Sequence, residues 1–402
     1  MSPSAHAGSI ARIAGFGAAL VVVALLALAG GAALGSTEGR SEGRDRGGGD
    51  RMAPRVHFDR TQWPRTDFSR RVVPLSEFEG VLRRDGIDAI RTPRVIEQRR
   101  AEHSLRGREP VLVATVRGAA RAYPLRVLLW HEIVNDRLGG RPIAVTYCPL
   151  CNSALVLDRR VGARTLEFGV SGVLRNSDLV MYDSESESWW QQLTGRAVVG
   201  RWAGTRLRAL HSQVLSWHAF RAHYPRGDVL APPRFYDRHY GRTPYAGYDD
   251  PSEPPFWFYS RRVDRRLPPK ERVAAVFVGR ETLAVPFNRL RRSRAVNSQV
   301  GAVPVLVTFE PAVLSVLDRA DIRTSRPVGT AVAFERRVGG RVLRFRRKRG
   351  RLLDVQTGSR WDPLSGRAEA GPLAGAKLLP LRHDEQFWFA LAAFYPRTRI
   401  AR

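Results

Sequence analysis

The two cysteines of this 402-residue chain stand close together, as Cys148-Pro149-Leu150-Cys151 within the stretch VTYCPLCNSA, and there is no third thiol for either to pair with. Two thiols at this spacing can face one point across a turn. With an imidazole they form a soft donor set suited to Cu(I) or Zn(II). The imidazole expected here is His131 of WHEIVND, on a short helix just before the strand that delivers Cys148. The expected centre has Cys148 and Cys151 as thiolate ligands and His131 as a neutral nitrogen ligand, with copper placed before zinc. Met181 and His218 are candidate fourth donors, neither at a diagnostic spacing.

Two other chemistries fit the same residues. A Cys-x-x-Cys after a buried strand also serves dithiol–disulfide exchange, with Cys148 attacking and Cys151 resolving. Against this, NSALVLDRR after Cys151 reads as a strand, not as the helix whose N-terminus activates such a thiol. The third reading is a pair with no activity in an envelope interaction scaffold. A short Cys-x-x-Cys ring would add little by chain entropy.

The elements that must position these residues occur twice. PIAVTY before Cys148 answers PVLVTF before Glu310, and IVND answers AVNS at the same spacing. Further on, SWWQQLTGRA answers SRWDPLSGRA, and SWHAFRAHYP answers FWFALAAFYP, in the same order. Each copy reads as a β-hairpin, a short helix, a buried β-branched strand, more strands and a closing helix stopped by Pro. The expected fold is α+β: two tandem duplicated domains, each a mainly antiparallel sheet with a few short helices. The recurring tryptophans Trp189, Trp190, Trp217, Trp361 and Trp388 read as core. The second copy keeps the scaffold but has Glu310, Val313 and Ser293 where the first has Cys148, Cys151 and His131. Packing alone does not explain a joint loss of three chemically capable residues.

The expected organisation is a signal or transmembrane anchor over 1–36, a flexible linker over 37–55, a site-bearing first repeat over 56–236, a Tyr/Pro-rich connector over 237–271 and a degenerate second repeat over 272–402. No charged residue falls between Ile13 and Thr37, a length that can cross a bilayer as a helix, and Arg12 precedes it. This predicts a single N-terminal span at the cell membrane with the rest extracytoplasmic, or a secreted chain if GGAALGS is cleaved. No cysteine follows the apolar run, which excludes a bacterial lipoprotein. STEGRSEGRDRGGGDR has nothing to bury and reads as linker. The residues before the first repeat are expected to wrap over it, and the aromatic connector to pack across both copies.

The net charge of +28 is mostly arginine, spread along the chain. No nucleic-acid recognition motif accompanies it, so the expected partners are the membrane and anionic envelope polymers or lipids. No phosphate-binding glycine loop, HExxH or serine nucleophile elbow is present. The carboxylates of DSESES lack the order of an EF-hand. Arg175, Asn176 and Asp178 in SGVLRNSDLVMYD could line a pocket, although a turn with satisfied polar groups is the simpler reading.

Taken together, YPLRVLLWHEIVND, PIAVTYCPLCNSALVLDRRV, LEFGVSGVLRNSDLVMYD, WWQQLTG and YGRTPYAGYDD resemble the DUF3179 family of uncharacterised exported prokaryotic proteins. The resemblance runs from about Val73 to the end. It implies that His131, Cys148 and Cys151 belong to the family signature. Asn152 departs from the small residue usual there, which bears on the turn and leaves the thiols untouched. The family carries no activity with it.

Overall fold

The computed structural model describes residues 57–234, 236, 238–256 and 263–401. The predicted membrane span and the linker after it lie outside the described residues. Among the described residues no helix is long and apolar enough to cross a membrane.

The first half opens with the hairpin β1 (Pro110–Val116) and β2 (Ala119–Pro124), joined at Arg117-Gly118. Helix α1 (Leu125–His131) follows, burying Leu125, Val127, Leu128, Leu129 and His131. Strands β3 (Ile133–Leu138), β4 (Arg141–Cys148) and β5 (Ser153–Asp158) form a three-stranded sheet in sequence order. The β-branched run in β4 is buried on both faces, as expected for a central strand. A second hairpin, β6 (Phe168–Arg175) and β7 (Asp178–Asp183), continues into β8 (Trp189–Gln191) and β9 (Arg196–Val199). Then β10 (Ser212–Ser216) returns beside β1, helix α2 (Trp217–His223) follows, and β11 (Asp228–Leu230) lies parallel to β2.

The second half has the same succession. It runs β12 (Arg272–Val278), β13 (Glu281–Pro286), α3 (Phe287–Ser293), β14 (Ala295–Val300), β15 (Val303–Glu310), β16 (Thr330–Glu335) and β17 (Phe345–Lys348). It ends with β18 (Arg351–Asp354), β19 (Arg360–Trp361), β20 (Ala368–Ala370), β21 (His383–Phe387), α4 (Trp388–Phe394) and β22 (Arg399–Ile400). Only β2–β11 and β13–β22 pair in parallel among these strands, so the fold is α+β with mainly antiparallel sheets.

The recurring sequence motifs have visible structural duties. Asn135 closes a two-bond clamp on the backbone of Phe168, and Asn297 does the same on Phe345, at 2.7–2.8 Å. The Trp190 indole donates to Asp183 and that of Trp361 to Asp354, both at 3.0 Å. All five recurring tryptophans are buried. Asp183, the first carboxylate of DSESES, caps its own turn through Ser186.

The two halves share a core. Val316, Leu317, Ile322, Phe387 and Phe389 of the second half join the cluster that holds Leu128, Val145, Cys148 and Cys151. Two extra segments wrap the first half. Trp63 and Phe78 cover Tyr182 and Trp189 of the β6–β9 sheet. The connector lays Tyr245 and Tyr248 over the cysteine turn and Tyr240 against His131, and buries Asp249 against Arg272, Arg326 and Ser315.

Candidate metal centre

The Cys-Pro-Leu-Cys segment is the loop of the β4–β5 hairpin, with Cys148 paired to Ser153. Asn152 leaves it at φ 52°, a left-handed conformation that asparagine tolerates better than most residues. That is why the position suits glycine or asparagine. Its Oδ1 accepts the Tyr147 hydroxyl at 3.2 Å. The residues after Cys151 are a strand, so the thiols do not precede a helix in the chain.

Cys148 and Cys151 are unbridged and buried, at 1% and 0% exposure. Their third neighbour is Asp178. The two Sγ atoms and a carboxylate oxygen of Asp178 all lie within 4.8 Å of one another. The Cys148 thiol also lies 3.6 Å from the Ser177 carbonyl. Asp178 is carried to this point by the β6–β7 hairpin, which is lengthened by a bulge between Val170 and Leu174. Gly172 sits in the bulge at φ 76°, where any Cβ would lie 2.2 Å from the Leu82 carbonyl oxygen. Asp178 Oδ2 accepts from Gln191 at 2.6 Å and from the Leu193 amide at 3.1 Å. Oδ1 has no ordinary hydrogen-bond partner, and the Cys151 thiol is the proton-sharing group beside the carboxyl.

Glu132 is the fourth acidic group. It follows the last residue of α1 at φ 54°, a turn that separates its direction from that of its neighbour His131. Its carboxyl has no hydrogen bond among the described residues, and burial, with Asp178 nearby, pushes its pKa up to about 8. Burial pushes Asp178 up to about 7, against its hydrogen bonds from Leu193, Gln191 and Cys151. Burial raises Cys148 as well, and Cys151 well above the ordinary thiol range. Tyr245 and Tyr248 complete the wall and are likewise raised by burial. The Tyr248 hydroxyl donates to the Leu150 carbonyl at 3.2 Å. The cationic group that reaches Asp178 is Arg175, itself paired with Glu77.

His131 is not a member of this cluster, which corrects the expected trio. Its Nδ1 is 2.7 Å from the Asp88 carbonyl, and its Nε2 is 2.7 Å from the Tyr240 hydroxyl. A carbonyl can only accept, so Nδ1 carries the proton and Nε2 accepts from Tyr240. Burial lowers the imidazole pKa and keeps it neutral. Both nitrogens are therefore spent, Nδ1 on the segment that precedes the first hairpin and Nε2 on the connector. His218 is exposed on α2. Met181 lies in the apolar core, paired across strands with Trp190.

The donors fit a metal ion. Two thiols and a carboxylate converge, one carboxylate oxygen lacks an ordinary partner, and the buried Glu132 carboxyl interacts electrostatically with Asp178 and Cys148 from outside that group of three. Sequence reasoning noticed Asp178 as a pocket candidate and missed Glu132. A signal for both was present: Glu132 corresponds to Arg294 in the second half, and the hairpin carrying Asp178 is shortened there to Phe345–Asp354.

No curated protein and no solved structure matches this chain. A family model does: described as a protein of unknown function (DUF3179), it matches residues 84–398, and the chain belongs to that family.

Proposed function

We propose that this protein holds one transition-metal ion between Cys148, Cys151 and Asp178, with Glu132 available as a fourth ligand. The observation that carries the reading is electrostatic. Two thiols and two carboxyls are buried together, and no lysine or arginine side chain among the described residues is paired with any of them. Such a group is stable only protonated or around a cation. A divalent ion favours the deprotonated form of every ligand and reverses the upward shifts.

The ligand set changes the expected order of metals. With His131 in the site, copper came before zinc. A carboxylate in its place makes the set mixed, and borderline Zn(II) suits two thiolates plus carboxylate better than soft Cu(I). The closed setting, with both sulfurs under the connector, favours retention of the ion over turnover at an open coordination position. Dithiol exchange is less well supported, because it needs a stabilised thiolate and burial disfavours one at both sulfurs.

The apolar run between Ile13 and Thr37 supports an extracytoplasmic setting at a membrane. Elemental analysis of the full-length protein, purified under reducing conditions, should find about one zinc per chain. The double substitution Cys148→Ser, Cys151→Ser should lose it. Metal retained by that variant would end the proposal.

A further inference from the structure

The same sheet face is treated oppositely in the two halves. In the first half, cross-strand register puts Tyr182 opposite Trp189, and Trp189 opposite Val199. This apolar face is roofed by the N-terminal segment through Trp63 and Phe78. Glu187 fixes the roof: its carboxylate accepts from the Arg65 amide at 2.9 Å and pairs with Arg84 at 2.7 Å. In the second half the register puts Arg346 opposite Leu353, Lys348 opposite Arg351, and Leu353 opposite Arg360. Directly opposed residues share a face, so one face carries Arg346, Lys348, Arg351 and Arg360. Arg349 sits at the hairpin turn beside them. The position of Glu187 is taken by Gly358, so the anchor for a roof is missing as well.

The result is an open cleft of about 490 Å³, lined by Lys348, Arg349, Arg351 and Arg360 with Leu353, Gly358, Ala370 and Gly371. No acidic residue lines it. Arg360 pairs with Glu369 at its edge, and the other basic residues of the face have no ion pair among the described residues. Like charges opposed on one face destabilise a sheet. Lys348 and Arg351 are opposed in this way, and no ion pair among the described residues compensates them.

We propose that this cleft binds a linear phosphodiester polymer of the cell envelope, laid across the strands where the first half carries its own N-terminal segment. Guanidinium forks match phosphate oxygens, and a groove admits a chain where a flat membrane surface would not enter. The phosphodiester assignment rests on the cleft and is independent of the metal reading, and the choice of an envelope polymer rests on the extracytoplasmic setting proposed above.

The test is binding of the full-length protein to poly(glycerol phosphate) as a function of salt. Replacing Lys348 and Arg351 by Ser should weaken binding about ten-fold or more and lower the log–log salt slope by about two. Replacing them by Arg and Lys respectively should preserve binding. The pair Arg99→Ser, Arg100→Ser removes the same charge from an exposed site in the first half, and should change affinity less than about two-fold. Equal weakening by both Ser pairs, or by neither, would overturn the cleft as the site. Equal or tighter binding of a single-stranded oligonucleotide, an acidic peptide or anionic vesicles at the same salt would overturn the choice of polymer.

Discussion

The first and second halves build one scaffold and put different charges inside it. The Asn clamp and the Trp–Asp bond recur at nearly identical distances. The cysteine turn does not recur. Residues 149–152 become 311–329, an insertion that brings Val316, Leu317 and Ile322 into the first half's core. Where the first half has Cys148, the second has Glu310, which carries its own counter-ion in a short ion pair with Arg347. Where the first has Glu132, the second has Arg294, laid over the Phe309 ring. A guanidinium is a permanent cation fixed to the chain, whereas thiols and carboxyls buried together must borrow a positive charge or stay protonated. The difference teaches that scaffold and site are separable in this fold.

The largest effects should come from what the halves share. Trp190→Ala and Trp361→Ala each remove a buried indole and its hydrogen bond to a carboxylate. Each should cost about 3–5 kcal/mol in denaturant unfolding, and a severe loss confined to one half would break the structural equivalence. Next come the residues that differ. Asp178→Asn should weaken zinc binding about ten-fold or more, a change of at least about 1.4 kcal/mol. Arg349→Ser, near the shortened hairpin's tip, should leave it unchanged. Competition titration with a chromogenic chelator measures both.

The pH dependence sharpens the same contrast. Asp178 and Glu132 are raised by burial to about 7 and about 8, so the metal-free native state holds protons that the unfolded chain releases. Their contribution is intact below the ordinary carboxylate range of about 4 and is lost as pH rises to about 8. The chelated protein should therefore melt lower at about pH 8 than at about pH 5, and zinc should reverse the trend. Asp384 and Glu385, raised to about 6 and about 7, add a background common to both curves. A zinc-insensitive pH profile would remove the cluster from the account.

The smallest effect separates anchor from ligand. Tyr240→Phe should cost about 1 kcal/mol, the worth of an ordinary hydrogen bond, and His131→Phe, which loses two, about 2 kcal/mol, with zinc content unchanged. A double-mutant cycle should recover the energy of their shared hydrogen bond as coupling. Loss of zinc in His131→Phe would restore the histidine to the site.

Much of the scaffold was readable before any coordinates. The β-branched run of β4, the recurring tryptophans and the strand after Cys151 follow from local pattern, because strand periodicity and burial are short-range properties. The wrapping of the first half by the N-terminal segment and the packing of the connector across both halves were also readable, since aromatic segments must bury their rings. The site was half readable. The cysteines stand out as the chain's only thiols, and the second copy lacks both them and His131, yet only the cysteines lie in the cluster with Asp178. His131 and Glu132 are neighbours in sequence, and a single positive φ sends them to different duties.

Residue type and repetition by themselves determined the α+β scaffold and the paired thiols, because these depend on neighbours along the chain. Only the tertiary structure decided which acids meet the sulfurs. Asp178 reaches them through a bulged hairpin held open by Gly172 against Leu82, and the connector tyrosines exclude water from above. Those contacts join segments far apart in sequence, and no local pattern encodes where such segments will meet.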